Sequence, residues 1–121
     1  MNDIHLLEYA AKAMQHSGDE KFRSFAIYDN DKFVSLNLGF RSGVLTQIWN
    51  PLDDNGDAFW LAVKLNICIN FGFAANQINC EIYDWEEDEV KIDWKENGRK
   101  DPFTATRRAI VRCAAEVGKS L

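Results

Sequence analysis

The chain reads as one α+β domain over residues 1–121: an antiparallel β-sheet of about five to six strands packed with three α-helices, in the order α-βββ-α-βββ-α. Three observations predict this. Apolar residues recur at helical spacing in three separated segments, and with period two in the segments between them. Hydrophobic residues are 46% and charged residues 27% of the chain, a balance that supports a packed core and argues against disorder. A chain of 121 residues is long enough to bury such a core without disulfides or metal.

The first helix is expected over Met1 to His16, with Ile4, Leu7, Ala11 and Met14 on one face and Asp3 able to cap the start. Ser17-Gly18-Asp19 ends it, Gly18 suiting a left-handed position. Phe22 to Leu38 reads as a hairpin around Asp29-Asn30-Asp31-Lys32, and Val44 to Ile48 as a third short strand. Turn-forming residues from Trp49 deliver a second helix from about Asp57 to Leu65. Ala58, Leu61, Ala62 and Leu65 share its apolar face, and Phe59 and Val63 lie at the edge of that face. Trp60 falls elsewhere on the wheel, exposed or against another subunit.

Three alternating segments follow, carrying Ile67, Ile69 and Phe71, then Ile78, Cys80 and Ile82, then Val90, Ile92 and Trp94 on one face. Asn70, Asn79, Glu81, Tyr83, Lys91 and Asp93 form the other, polar face of this antiparallel meander. Asp84-Trp85-Glu86-Glu87-Asp88-Glu89 is its acidic turn. The last helix starts at the cap Asp101 with Pro102 in its first turn, and its apolar stripe runs through Phe103, Ile110, Cys113 or Ala114, and Val117.

Charge is segregated along the chain. The formal net charge is −5, so bulk electrostatics do not draw this protein to nucleic acid or anionic lipid. Between Glu81 and Glu96 eight acidic residues face two lysines, whereas between Arg99 and Lys119 six basic residues face two acidic ones. This describes either two solvated faces that attract each other or a local basic surface suited to a small anion.

Cys68, Cys80 and Cys113 lack metal-ligand spacing and each falls in an apolar periodic segment, so buried free thiols in a reducing, cytoplasmic compartment are expected. No signal-peptide pattern opens the chain and no apolar run reaches membrane-spanning length.

Catalytic and cofactor signatures are absent: there is no phosphate loop, dinucleotide fingerprint, nucleophile elbow or zinc-protease motif. His5 and His16 stand without a partnering Cys or carboxylate cluster. Asp53-Asp54-Asn55-Gly56-Asp57 is similar to a calcium loop but lacks its ligand spacing and closing Glu, which leaves a turn and helix cap. No metal, no cofactor and no enzymatic activity are therefore expected. The richest constellation is Arg107, Arg108 and Arg112 on the last helix, with Tyr83 and Lys91 on the polar face of the sheet. Arginine offers paired donors to phosphate and tyrosine a ring on which a base stacks, so the set suits a nucleotide. From the residues alone the simpler reading, that these arginines neutralise the acidic meander, stands ahead of it. Trp60 and Trp85 are the expected anchors of a homo-oligomer, since tryptophan dominates interface energetics.

Two stretches carry a family likeness. One runs from Trp49-Asn50-Pro51-Leu52-Asp53-Asp54-Asn55-Gly56-Asp57-Ala58 through Leu61-Ala62-Val63-Lys64-Leu65. The other runs from Asp101-Pro102-Phe103-Thr104 through Arg107-Arg108-Ala109-Ile110-Val111-Arg112 to Ala114-Ala115-Glu116-Val117-Gly118. Together with the first helix they resemble the phage ABA sandwich domain family of small phage and prophage proteins. The resemblance implies an accessory role in the cytoplasm of an infected bacterium, directed against host defence. The size of the chain and the Arg108/Arg112 spacing also look like phage sponges that sequester cyclic ADP-ribose-type signals of the Thoeris system. That likeness implies a cyclic nucleotide ligand. The alternative is a protein-binding inhibitor, as anti-CRISPR proteins are, acting through the acidic surface.

Overall fold

The computed structural model describes residues 2–28, 33–40, 43–72, 76–84 and 86–121, with the backbone alone for 37–40 and 43–45. Helices α1 (Asp3–His16), α2 (Asn55–Lys64) and α3 (Pro102–Lys119) alternate with strands β1 (Phe25–Tyr28), β2 (Phe33–Phe40), β3 (Gly43–Trp49), β4 (Cys68–Phe71), β5 (Gln77–Asp84) and β6 (Glu89–Asn97). The class and the order are those the sequence predicts. The strands form two antiparallel three-stranded sheets, β1-β2-β3 and β4-β5-β6, rather than one continuous sheet, because α2 intervenes between the meanders and β3 does not pair with β4. The tip of the first hairpin, residues 29–32, lies outside the described residues.

Local chemistry sets the helix ends. Asn2, rather than Asp3, caps α1, its side chain accepting from the His5 amide at 3.0 Å. Gly18 follows the helix with φ +86°, a left-handed position that costs glycine nothing. Asp54 caps α2 through the Asp57 amide, 2.7 Å, and starts it two residues before the expected Asp57. Asp57 in turn accepts from the Asn50 amide at 2.9 Å, so the acidic run closes a turn. Burial pushes the Asp57 carboxyl above its ordinary value, against the opposing pull of the Asn50 amide. Asp101 accepts from the Phe103 and Thr104 amides at the start of α3, with Pro102 in the first turn.

One core joins these elements. The first sheet packs on α1 through Val34 and Leu36, and the second packs on α3 through Ile78 and Cys80. Helices α1 and α3 lie against each other through small residues, among them Ala10, Ala114 and Ala115. Trp49 and Phe22 fill the space beyond, ring edge against ring face at 4.8 Å. Phe22 belongs to a short 3₁₀ turn, Glu20–Phe22, rather than to the hairpin.

Four expected core positions are corrected: Phe71 is 67% exposed, Val90 is 44% exposed because a register shift at Ile82/Tyr83 sets it opposite Tyr83, and Phe103 and Cys68 are exposed as well. Phe103 is 67% exposed, because in the first turn of α3 it sits on the rim of an open groove beside Ile69 and Phe71 of β4 rather than in the core. Cys68 is exposed, because period-two alternation turns it to the outer face of β4 while its neighbours Ile67 and Ile69 turn inward. Cys80 and Cys113 are buried, as expected, and burial raises both thiols to about 12.

Candidate functional site

The basic residues of α3 do not converge. Arg108 Nη2 lies 2.9 Å from Asp3 Oδ1 and ties α3 to α1. Arg112 Nε lies 2.9 Å from Glu96 Oε1 on β6, but its N–H is not aimed at that oxygen, so the contact is an ion pair rather than a hydrogen bond. Its guanidinium also stacks 4.7 Å from the centre of the Trp94 ring. The indole Nε1 of Trp94 donates to the same Glu96 oxygen at 3.1 Å, so indole and guanidinium share one carboxylate. Arg108 and Arg112 are thus the cationic halves of ion pairs within the chain; only Arg112 meets a carboxylate of the acidic meander, whereas Arg108 meets Asp3 of α1.

Tyr83 and Lys91 sit elsewhere. Helix α3 covers the apolar face of the second sheet, and alternation from the partly buried Ile82 places Tyr83 on the opposite face. The Tyr83 hydroxyl donates to Asp88, which holds the phenol above its ordinary range. The Lys91 ammonium pairs with Glu87 and with Glu89, and both carboxylates raise its pKa. Both residues therefore brace the acidic turn, and the sheet lies between them and the arginines of α3.

That turn is built from its own carboxylates. Asp84 Oδ1 accepts from the amides of Glu86 and Glu87 at 2.9 and 3.2 Å, and Asp88 adopts φ +55°, which aspartate tolerates. On the outer face of the sheet Glu81 stands directly opposite Asp93 across the β5–β6 ladder. Like charges in that relation destabilise a sheet. Lys95 approaches Asp93 only to 3.8 Å, in an exposed pair.

Arg107 differs from its neighbours. Its Nε donates to Leu52 O at 2.8 Å, Nη1 to Asn55 Oδ1 at 2.6 Å and Nη2 to Thr104 Oγ1 at 3.0 Å. All three acceptors are uncharged. The guanidinium is fixed at the margin of a groove of about 550 Å³ between α2, β4 and α3. Phe59, Ile69, Phe71, Phe103 and Ile110 form the apolar lining. Sequence reasoning missed this groove. It placed Phe71 and Phe103 on buried stripes and Phe59 beside one, and pattern alone does not show where an element runs past its partner.

Trp60 is not an exposed anchor. It is half-buried, its ring 5.3 Å from Phe22 with the Lys21 ammonium 4.7 Å above it, so its ring is partly covered from within the chain. Trp85 lies outside the described residues. His5 and His16 are exposed on α1. Among the described residues no group of three or more His, Cys, Asp or Glu side chains is placed to hold a metal ion, and no helix is long and apolar enough to cross a membrane. No family model, curated protein or solved structure matches the chain.

Proposed function

We propose that this protein acts by binding rather than by catalysis, and that its acidic second sheet covers a basic surface of a protein partner. The likeness of the α2 and α3 stretches to small phage proteins supplies the setting: an accessory protein in the cytoplasm of an infected bacterium that antagonises an antiphage defence. The observation that carries the reading is the direct opposition of Glu81 and Asp93 on the outer face, beside the exposed Glu86, Glu87, Asp88 and Glu89 of the turn. A sheet bears that repulsion at a cost to its own stability, and a cationic partner relieves it. Arg108 and Arg112 meanwhile face carboxylates of their own chain. A pull-down from host lysate at low and high salt, with wild type and a Glu81→Lys/Asp93→Lys variant, tests this. Wild type retains a basic host protein that salt releases, and the variant does not. Retention of the same protein by the variant would sink the reading.

A second reading, sequestration of a cyclic nucleotide signal, is favoured by Arg107 alone. Among the described residues its hydrogen-bond acceptors are uncharged, with Asp101 in electrostatic reach but not hydrogen-bonded to it, and the phenylalanines beside it offer surfaces for a base. Calorimetry against cyclic nucleotides decides it: binding by the wild type that is lost in Arg107→Ala replaces the protein-binding reading.

A further inference from the structure

The two edges of the second sheet are built differently. Strand β6 carries Glu89, Lys91, Asp93, Lys95 and Glu96 among its nine residues. Charges of this kind keep an exposed edge from pairing with another chain. Strand β4 ends the other side of the sheet and reads Cys-Ile-Asn-Phe, with no charge and no proline. Beside this unguarded edge lies the apolar groove, and Phe59, Phe71 and Phe103 around it are 69%, 67% and 67% exposed. Val63, one helical turn beyond Phe59, is 57% exposed. Exposed aromatic rings gathered around an uncharged strand edge mark an association surface.

We propose that this edge and groove are covered by a second copy of the chain, with β4 pairing antiparallel to β4 about a two-fold axis at Asn70. Facing parity admits that register, and the pairing of Phe71 with Ile69 favours it. Opposed residues in an antiparallel ladder share a face, so strands that keep their apolar residues on one side pair at an even offset. Centring on Asn70 sets Phe71 of each copy opposite Ile69 of the other, on the face that holds the groove. Aromatic and β-branched residues are a favourable cross-strand pair. On the outer face the exposed Asn70 meets its own counterpart, amide to amide. The result is one continuous sheet of six strands across two copies, with the acidic outer faces on the same side.

The exposed rings supply much of the area such a contact needs. A packed phenylalanine buries roughly 150–250 Å². Three that are two-thirds exposed therefore bring on the order of 300–500 Å² per copy, against about 800 Å² per partner in an interface of standard size. Ile69 and the strand backbone lie within the same surface. The contact is self-complementary, which suits a closed two-fold dimer. It leaves the acidic turn uncovered and takes in only Arg107 of the arginines, at the groove margin, so it stands or falls independently of the protein partner proposed above.

Light scattering at micromolar concentration reads the outcome directly. The wild type is expected at twice the chain mass. Asn70 is exposed, so Asn70→Lys leaves the fold intact while setting like charges opposite each other at the axis. It should raise the dimer dissociation constant about tenfold or more, with an unchanged circular dichroism spectrum. In a Cys68→Ser background, Asn70→Cys should form a disulfide-linked dimer on mild oxidation, because directly opposed residues stand within disulfide reach. A wild type that stays monomeric overturns the proposal, as does a dimer indifferent to Asn70→Lys. A monomer whose groove instead takes a nucleotide, with binding lost in Phe103→Ala, also overturns it.

Discussion

Gly118 of α3 lies so close to the main chain of Tyr9 on α1 that a Cβ there would stand 1.8 Å from the Tyr9 carbonyl oxygen. Two helix backbones cannot approach this closely with a side chain between them, and no rotamer relieves a clash with a carbonyl. Gly118→Ala is therefore expected to destabilise the fold by about 3 kcal/mol or more, although alanine is the better helix former by ~1 kcal/mol. Urea denaturation measures it. Gly18→Ala provides the contrast: nothing lies within 4 Å of a Cβ there, and the left-handed φ of +86° alone should cost about 1–2 kcal/mol. Equal losses at the two sites would mean that the helix contact is not tight.

Arg112 is a structural residue in this fold. Arg112→Ala leaves the partly buried Glu96 without its cation and the Trp94 ring without its stacked guanidinium. A loss of about 1–3 kcal/mol in unfolding free energy is expected. In a double-mutant cycle with Glu96→Ala the two losses should fall short of additivity, because both remove the same pair. Additive losses would show that the ion pair contributes nothing.

The thiols should divide by accessibility. Cys68 is exposed, whereas Cys80 and Cys113 are buried and their thiols are pushed up to about 12, which leaves almost no reactive thiolate at neutral pH. Iodoacetamide should add one label to the native protein, at Cys68, and label all three cysteines in denaturant. Mass spectrometry of the intact chain and its peptides reads both numbers. Native labelling at Cys113 would contradict the packing of α3 on the sheet.

Acid should weaken the start of α3. The Thr104 side chain and amide, with the Phe103 amide, hold the Asp101 carboxyl below its ordinary 3.8. A depressed folded pKa means that this cap contributes stability in full above about pH 4 and loses it as pH falls through the folded value. Asp101→Asn keeps an acceptor that does not titrate. Below about pH 4 the wild type should lose stability more steeply than this variant. Parallel stability curves for the two would refute the assignment.

Much of this architecture is legible in the residues. Helical spacing of Leu7, Ala11 and Met14, the caps at Asp101 and Gly18, and alternation through Ile78, Cys80 and Ile82 depend on neighbours a few positions apart, and all of them reappear in the structure. The candidate site was far less legible. Arg108 and Arg112 do project from neighbouring turns of one helix, but their partners Asp3 and Glu96 lie on other elements, and no local pattern announces those pairs.

The sequence by itself determined the α+β class, the order α-βββ-α-βββ-α and the excess of negative charge, because local periodicity and composition set each of these. Only the tertiary structure decided that the strands form two sheets, that α3 lies on the sheet face turned away from Tyr83, and that Phe59, Phe71 and Phe103 stay uncovered. Those outcomes depend on how far each element overlaps its neighbour. Apolar residues obey the same spacing whether the end of an element is packed or projects past its partner, so the exposed groove becomes visible only once the elements are in place.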